Sequence, residues 1–472
     1  MLTNRDTICA IATPPGHGGI GVVRISGSKS RDILAAVWRG KIAPAKFESH
    51  RLYLGEIYAP LDCSERVTNS IVTREGQARR RNGVYCTIDH AMVVWMQAPR
   101  SYTGDDVVEI SAHGSPVILR KIVEACLVAG ARLAEPGEFT QRAFLAGKLD
   151  LAQAEAVADL IHATSDQAVR AAEDQLAGRL SHEVKMLHDE ILQLRTFVEA
   201  TLDFPEEGIA MIEREGIVPH LAALRERIEN LAATFSRGRL IRDGIRVAIV
   251  GRPNVGKSSL LNRLAGSERA IVHSTPGTTR DIVEVTVMIE GQSYHLADTA
   301  GLREGEHDIE RIGIERTRQA MANADLLLVV LDGSEILSSE DDKLLTETAT
   351  HPRIVCFNKS DLTRKHQVLS GIRISARTGD GMETLFSTLR EKTAIVPTEG
   401  STAVITNIRH KEALDESTAE LQKASDAIAR RDPIECVAHF LKRSQDVLGK
   451  ITGAVTNEDL LDRVFSQFCI GK

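Results

Sequence analysis

The feature that most constrains the fold of this chain is the run Gly251-Arg252-Pro253-Asn254-Val255-Gly256-Lys257-Ser258. It matches the pattern G-x-x-x-x-G-K-S, in which backbone N–H groups and a helix N-terminus hold the phosphates of a nucleotide. A β-branched run precedes it and a helical pattern begins at Lys257, which is the context that this motif requires. The run therefore predicts an α/β nucleotide-binding domain with its phosphate loop at the carboxyl end of the first strand.

Predicted strands and helices alternate through residues 241–398, which we assign to a P-loop GTPase domain of the Ras-like type. Such alternation favours a mostly parallel sheet with helices on both faces. The expected strands are Ile245–Val250, Ile282–Ile289, Ser293–Ala297, Leu326–Leu331, Ile354–Phe357 and Ile372–Ser375.

Two motifs indicate that the base is guanine. Asn358-Lys359-Ser360-Asp361 follows a strand, and the Asp361 carboxylate can accept hydrogen bonds from the ring N–H and exocyclic amine of guanine, a pair that adenine lacks. Ser375-Ala376-Arg377 completes the base pocket. The phosphate loop alone would also fit an ATPase, and these motifs exclude that alternative.

Two further motifs have the form of the GTPase switches. Gly277-Thr278-Thr279-Arg280-Asp281 offers Thr279 as a magnesium ligand beside Ser258 of the phosphate loop. In Asp298-Thr299-Ala300-Gly301, Asp298 would hold a magnesium-bound water and the Gly301 N–H would bind the γ-phosphate. The five motifs together predict a site for GTP with Mg²⁺.

The next residue, Leu302, occupies the position at which Ras-like GTPases carry a water-orienting glutamine. An apolar side chain cannot orient water, so the catalytic group is expected elsewhere. The candidates in the following segment are Glu304, Glu306, Asp308 and Glu310.

Residues 1–146 predict a compact α+β domain. Its β-like runs are Ile20–Ile25, Ala91–Met96 and Val107–Ser111, followed by a helical stretch, Pro116–Ala129. Gly16, Gly18 and Gly21 satisfy the dinucleotide pattern G-x-G-x-x-G, but a strand and not a helix follows, so that pattern lacks its context.

Residues 147–240 and 399–472 predict two parts of one helical domain that flanks the inserted GTPase domain. Apolar residues at steps of three and four mark long helices that pack lengthwise, and a helical bundle is favoured over a coiled-coil oligomer. Before the GTPase domain these residues are Leu180, Val184, Leu187, Ile191, Leu194 and Val198, then Ile217, Leu221, Leu224, Ile228, Leu231 and Phe235.

Length, composition and charge exclude other classes of protein. The 472 residues exceed one ordinary hydrophobic core, and no apolar run approaches the roughly 20 residues that a membrane helix needs. The first seven residues show no signal or presequence pattern, so a cytoplasmic protein that does not act at a membrane is expected. The net charge of −7 argues against a nonspecific nucleic-acid binder.

The seven cysteines include no C-x-x-C pair, which argues against a disulfide framework or a zinc site. We interpret all of them except Cys469 as small buried side chains. The terminus Cys469-Ile470-Gly471-Lys472 has the outline of a prenylation box, but the terminal lysine and the lack of a second membrane signal argue against lipidation.

Over essentially its whole length the chain resembles the tRNA uridine-5-carboxymethylaminomethyl modification GTPases, the MnmE or TrmE family. The blocks that carry this resemblance are Thr13-Pro14-Pro15-Gly16, Gly18-Gly19-Ile20-Gly21, Arg24-Ile25-Ser26-Gly27, Pro136-Gly137-Glu138-Phe139 through Lys148-Leu149-Asp150-Leu151, Asp203-Phe204-Pro205, Asp298 to Gly313, and Phe468-Cys469-Ile470-Gly471-Lys472. His17 and the segment Glu65–Asn82 depart from the family pattern.

For the GTPase domain, the resemblance implies that two copies dimerise across their nucleotide faces around a K⁺ ion. Asn254 would ligate K⁺ through its side chain and His273, Thr275 and Thr278 would lie in the loop that wraps the ion, while Glu310 matches the family's catalytic glutamate. The GTP-binding set is then Asn254, Val255, Gly256, Lys257, Ser258, Ser259, His273, Ser274, Thr275, Pro276, Gly277, Thr278, Thr279, Asp298, Thr299, Ala300, Gly301, Asn358, Lys359, Ser360, Asp361, Ser375, Ala376 and Arg377.

For the N-terminal domain, the resemblance implies a dimerisation domain that binds 5-formyl- or 5,10-methylene-tetrahydrofolate. The matching residues are Arg24, Glu109, Lys148 and Lys472, and Cys469 would serve the tRNA chemistry. Cations suit the glutamate carboxylates of folate, and a carboxylate suits the amine edge of the pterin.

The implied function is that of a homodimeric GTPase that works with an FAD-binding partner protein. Together they would add a carboxymethylaminomethyl or aminomethyl group to carbon five of the wobble uridine in certain tRNAs. The alternative is a regulatory GTPase of ribosome assembly or translation without modification chemistry. The residues Arg24, Glu109, Lys148 and Cys469 separate the two, whereas the GTPase motifs do not.

Overall fold

The structure is a computed structural model that describes residues 6–60, 85–203, 212–266, 284–289, 291–298, 318–363, 370–393 and 403–472. It divides into two compact units. The first comprises Met1–Ala158 together with Thr452–Lys472, and the second comprises Asp159–Ile451.

A seven-stranded sheet forms the centre of the first unit, in the order β3-β4-β5-β6-β2-β1-β7. Alternating apolar residues such as Val23, Ile25 and Ile110 are fully buried on one face of it, against helices α1 and α2. The bounds are β1 Ile8–Ile11, β2 Gly18–Ser26, α1 Ser30–Val37, β3 Trp38–Gly40, β4 Leu52–Pro60, β5 Tyr85–Met96, β6 Val107–Gly114, α2 Pro116–Val128, β7 Arg132–Leu133, α3 Glu138–Leu145 and α4 Leu151–His162, of which α4 ends in the second unit.

The pairing of β2 with β6 brings distant residues together. The two strands are antiparallel, and their register sets Arg24 directly opposite Glu109. The predicted β-like runs lie within strands of the structure, and the predicted helix Pro116–Ala129 ends one residue earlier, at Val128. The glycine-rich segment does continue as a strand, Gly18–Ser26. The α+β fold class is thus confirmed.

The C-terminus of the chain belongs to this first unit. Helix α14 (Glu458–Phe465) and Phe468 bury their apolar side chains against Leu151 and Ala154, and Ile470 forms a β-bridge with Pro136. The predicted second part of the helical domain, 399–472, includes these residues, whereas the structure groups Thr452–Lys472 with the N-terminal residues.

The second unit contains a six-stranded sheet in the order β13-β12-β11-β8-β10-β9, parallel except for β9 beside β10. The expected mostly parallel sheet is confirmed, and the last strand is shorter than predicted. The bounds are β8 Ile245–Val250, α9 Lys257–Ala265, β9 Glu284–Ile289, β10 Gln292–Asp298, β11 Leu326–Asp332, α10 Ser339–Glu347, β12 Arg353–Asn358, β13 Ile372–Arg373 and α11 Met382–Lys392.

Helices from both sides of this sheet domain in the sequence form one bundle. Arg195 of α6 donates a hydrogen bond to Gln445 of α13 at 2.8 Å, and Arg225 of α7 donates to Gln422 of α12. The predicted discontinuous helical domain is therefore confirmed. Its helices are α5 Asp166–Leu176, α6 Arg179–Asp203, α7 Ile212–Ala233, α8 Phe235–Asp243, α12 Ile408–Arg430 and α13 Ile434–Thr452, of which α13 ends in the first unit.

The predicted apolar stripes do face the core of the bundle. Leu180, Val184, Leu187, Ile191 and Val198 of α6 are at most 2% exposed, and Leu194 is partly exposed. The stripe of α7 is buried through Leu231, while Phe235 begins the separate helix α8 and is partly exposed. The described residues include no helix that is both long and apolar enough to cross a membrane.

The expectation for the cysteines was correct for three of them. Cys9, Cys126 and Cys356 are buried, whereas Cys86 is exposed and Cys436 is partly exposed. The prediction was wrong for Cys86, which lies near the start of the long strand β5 and is exposed there. Cys63 lies outside the described residues.

Candidate functional site

The phosphate loop connects strand β8 to helix α9 and is built on close backbone contacts. A Cβ atom on Gly251 would overlap with the carbonyl of Val330, and one on Gly256 would overlap with the side-chain amide of Asn358. Gly256 also has a φ of 96°, a conformation that favours glycine. The glycines of the motif therefore let the loop pass between neighbouring strands.

Lys257 is the first residue of α9 and its side chain curls back over the loop. It is 5% exposed, and its Nζ donates to the carbonyls of Gly251 at 2.8 Å and Arg252 at 2.6 Å. The ammonium group thus lies inside the loop, where the backbone N–H groups at the start of α9 also favour an anion. This geometry suits a phosphate group.

Asn358 joins the phosphate loop to the predicted base pocket. Its Nδ2 donates to the carbonyl of Val255 at 2.8 Å, and its Oδ1 accepts from the backbone N–H of Ala376 at 2.9 Å. The side chain is 2% exposed. One buried amide therefore fixes the distance between two loops that are more than a hundred residues apart in the sequence.

The remaining base-pocket residues are held by charge and hydrogen bonds. Ser375 donates to Asp361 at 2.7 Å, and this bond is the main reason that the pKa of Asp361 lies below its ordinary value. Lys359 pairs with Asp332 at 2.6 Å. Burial raises the pKa of Asp332, but the hydrogen bonds from Lys359 and Ser334 outweigh it and leave this pKa lowered.

The structure brings three predicted segments into one site: 254–259, 358–361 and 375–377. Asp298 is the last residue of β10, whereas His273–Thr279, Thr299–Gly301 and Glu310 lie outside the described residues. Ser258 is exposed in the first turn of α9, and a hydroxyl oxygen is a ligand that suits Mg²⁺. The sequence analysis did not single out Asp332, which forms the ion pair with Lys359. Its position at the end of the buried strand β11 could have marked it as a candidate.

A second cluster of charged residues lies in the first unit. Arg24 and Glu109 form an ion pair at 2.8 Å, with side chains 14% and 28% exposed. The Arg24 guanidinium also lies over the rings of Tyr102 and Phe139, 5.5 and 5.6 Å from their centroids. Two aromatic walls therefore restrict the arginine, and neither aromatic residue was in the predicted site.

The C-terminal residues close this cluster. Arg24 donates to the carbonyl of Gly471 at 3.3 Å, and the carbonyl of Lys472 accepts from the backbone N–H of Phe139 at 3.2 Å. Gly471 has a φ of 95°, and a Cβ there would overlap with the carbonyl of Ile11. The terminal segment can therefore dock so closely only with glycine at this position.

Lys472 lies within electrostatic range of the Arg24–Glu109 ion pair and of Cys469. Burial and the nearby charge of Arg24 lower the pKa of Lys472, and the opposing effects of Glu109 and Cys469 are smaller. Cys469 is a free and exposed thiol. Three of the four predicted folate residues and the predicted catalytic cysteine are thus close together.

Lys148, the fourth predicted folate residue, is placed differently. Its Nζ donates to the carbonyl of Pro99 at 2.6 Å, and its Cε lies near Gly104. It therefore contacts the loop that carries Tyr102 and not the ion pair itself. With two cations beside a partly exposed carboxylate, the residues present fit a ligand that has both carboxylates and an amine-bearing ring.

Comparison with known proteins gives matches over nearly the whole chain. Residues 7–148 match the family described as the GTP-binding protein TrmE N-terminus, and residues 151–469 match the MnmE helical domain. A tRNA modification GTPase MnmE of Heliobacterium modesticaldum is 44% identical over 99% of both chains. Proteins of the same name from Nitrosomonas europaea and Acetivibrio thermocellus are 42% and 38% identical over 100% of both chains.

Proposed function

Since this chain belongs to the MnmE family of tRNA modification GTPases, we propose that it couples GTP hydrolysis to the modification of the wobble uridine in certain tRNAs. Its enzymatic class is that of a GTP hydrolase acting in tRNA modification. The proposed product carries a carboxymethylaminomethyl or aminomethyl group at carbon five of the base.

At the nucleotide site, Lys257 and the start of α9 bind the phosphates of GTP, and Asp361 accepts the hydrogen bonds that identify guanine. Ser258 and Thr279 hold Mg²⁺, and Asp298 contacts it through water. The buried hydrogen bonds of Asn358 support this assignment, because they keep the phosphate loop and the base pocket at a fixed separation.

Hydrolysis in this proposal depends on dimerisation and on K⁺. Asn254 ligates the ion together with the loop of His273, Thr275 and Thr278, and Glu310 positions the attacking water, a role that Leu302 cannot fill. Replacing Glu310 with alanine is therefore expected to slow hydrolysis by about a hundredfold while GTP affinity stays within a few-fold.

The observation that carries the modification chemistry is the cluster of Arg24, Glu109, Lys472 and Cys469. Arg24 and Lys472, with Lys148 on the neighbouring loop, bind the carboxylates of a tetrahydrofolate derivative, and Glu109 binds the pterin edge. Bound folate would supply a one-carbon unit. The ion pair of Arg24 with Glu109 and the lowered pKa of Lys472 support a preformed polar site here.

The proposed assembly is a cytoplasmic homodimer that works with an FAD-binding partner protein and with tRNA. The flavin chemistry belongs to that partner, while this chain contributes GTP hydrolysis and the folate site. A GTPase that serves only ribosome assembly or translation would need neither the charged cluster nor its exposed thiol.

Mass analysis of tRNA nucleosides from a strain that lacks this protein tests the proposal. The wobble uridines are expected to lose their carbon-five groups, and a plasmid copy of the gene should restore them. Wobble uridines that stay fully modified in the deletion strain would instead favour the regulatory GTPase.

A further inference from the structure

A cavity lined by arginines lies in the helical part of the second unit. Its volume is about 310 Å³, and α5, the start of α6, α8 and the segment 403–404 form its walls. Its charged lining residues are Arg170, Arg179, Arg237 and Asp174. We call this space the arginine cavity, and it is separate from both sites described above.

The charge of the arginine cavity is positive. Three guanidinium groups face one carboxylate, and Arg179 pairs with that carboxylate, Asp174, at 3.2 Å. Both side chains of this pair are more than half exposed, so they remain open to solvent. Within the described part of the chain, Arg170 has no carboxylate partner. The cavity therefore keeps cationic hydrogen-bond donors available to a ligand.

The remaining walls of the cavity strengthen the interaction of its arginines with an anion. Leu180, Ile241 and Ala403 are at most 7% exposed and present apolar surface beside the arginines. Apolar walls screen a charge less than water does, so an anion in the cavity would interact strongly with the arginines. The whole chain has a net charge of −7, so this local excess of positive charge is not a general property of the surface.

We propose that the arginine cavity binds a phosphate group, carried either by an RNA backbone or by a small free anion. The planar fork of a guanidinium group matches the geometry of phosphate oxygens and can bind them with two parallel hydrogen bonds. A volume of about 310 Å³ accommodates such a group with part of the molecule that carries it.

The position of the cavity connects the ligand to the GTPase domain. Helix α8 contributes Arg237 to the cavity, and its next residues, Arg239 and Leu240, bind the sheet domain through an ion pair with Asp325 and a hydrogen bond from Gln292. Ala403 lies in the segment that leads back out of that domain. A bound phosphate would therefore contact both connections between the helical and GTPase domains.

Binding measurements on the full chain, loaded with GDP and Mg²⁺ to occupy the phosphate loop, test this site. The probes are inorganic phosphate and diphosphate, measured by calorimetry, and unmodified tRNA, measured by fluorescence anisotropy over a series of salt concentrations. The variants are Arg170→Gln, which removes a donor, and Gln167→Arg, which adds one to the cavity lining. The matched control is Arg430→Gln, on a side chain that is 61% exposed and lies elsewhere in the helical domain.

The Arg170→Gln variant is expected to weaken binding of at least one probe about tenfold, Gln167→Arg to tighten it, and Arg430→Gln to leave it unchanged. If tRNA is the ligand, Arg170→Gln also reduces the salt dependence of its binding by about one phosphate contact. If the ligand is a small anion, only the phosphate or diphosphate affinity changes. Equal binding by the wild type, Arg170→Gln and Gln167→Arg, or no binding of any probe to the wild type, would overturn the proposal without affecting the tRNA modification result.

Discussion

Among single residues, Asp361 determines which base the nucleotide site accepts in our account. Asp361→Asn replaces an acceptor with a donor facing the guanine amine, and hydrogen bonds to a charged group contribute about 1.5–3 kcal/mol each. We expect GTP affinity to fall and xanthosine triphosphate affinity to rise, measured by competition with a fluorescent nucleotide.

Ser375→Ala is the control for this change, because it removes the hydrogen bond that orients Asp361 and keeps the carboxylate. This variant should lower the affinity for both nucleotides and still bind GTP more tightly than xanthosine triphosphate. Unchanged GTP affinity in Asp361→Asn would remove Asp361 from the base pocket.

We expect Lys472 to make the proposed folate binding depend on pH. Its pKa is lowered in the free protein by burial and by Arg24, and an anionic ligand would raise this pKa again by favouring the ammonium form. Binding then takes up a proton above the lowered pKa, so the affinity for 5-formyl-tetrahydrofolate should decrease as the pH is raised through this lowered pKa, which lies below the ordinary lysine value of about 10.4.

Equilibrium dialysis measures this affinity, with Lys472→Arg as the comparison. The variant keeps Arg24, Glu109 and Cys469 and replaces only the group that titrates, since arginine stays charged over this range. We expect the decrease to be much smaller in the variant. A decrease of the same size in both proteins would assign the pH dependence to another group.

At the scale of elements, local patterns predicted the helices and strands well and their pairing poorly. The stripes of α6 and α7 and the limits of β8 follow from nearest neighbours in the sequence, which is why they could be found. The register that places Arg24 opposite Glu109 joins strands that are 85 residues apart, and no local pattern encodes it. Only the family resemblance had connected these two residues.

The docking of the C-terminal segment could not be predicted from local sequence patterns either. Helix α14 is amphipathic, and its apolar face would fit either a helical bundle or another domain, so the sequence did not decide which. The close fit of Gly471 against Ile11 and the burial of Phe468 decide it in the structure. Residues of the candidate site could be proposed from the sequence, but the contacts between its parts could not.

A glycine in α8 fixes the contact between this helix and the segment 403–406. A Cβ on Gly238 would overlap with the carbonyl of Ile405, whose own N–H donates to Thr234 at 3.0 Å. Gly238→Ala forces these backbones apart and should lower the free energy of unfolding by about 1–3 kcal/mol, measured by urea denaturation.

Gly216→Ala is the matched control, because Gly216 lies in helix α7 and a Cβ there meets no atom within 4 Å. This substitution should be neutral or stabilise the protein by about 0.5–1 kcal/mol. Equal effects of the two substitutions would show that the contact at Gly238 is not a tight one.

For the molecule as a whole, K⁺ is expected to link hydrolysis to dimerisation. GTP turnover should be much faster in K⁺ than in Na⁺ at equal ionic strength, and K⁺ with a transition-state mimic should convert monomeric GTPase domains into dimers. The variant Asn254→Gly tests the K⁺ site most specifically, because it removes the side chain that would ligate the ion. The backbone should not be disturbed, since Asn254 has a φ of 65° that glycine tolerates. The variant should bring the rate in K⁺ down toward the rate in Na⁺, and a wild type with equal rates in both salts would contradict the K⁺ site.

In our proposal one chain combines a GTPase site with a separate chemical site, and the variant Cys469→Ser distinguishes the two. Serine is nearly isosteric with cysteine, and Cys469 is exposed, so folding and GTP turnover in K⁺ should be preserved. The decisive measurement is mass analysis of wobble uridines in a deletion strain that carries only this variant. We predict that GTP turnover stays normal and the carbon-five groups are lost, whereas fully modified uridines would rule out the assigned role of Cys469.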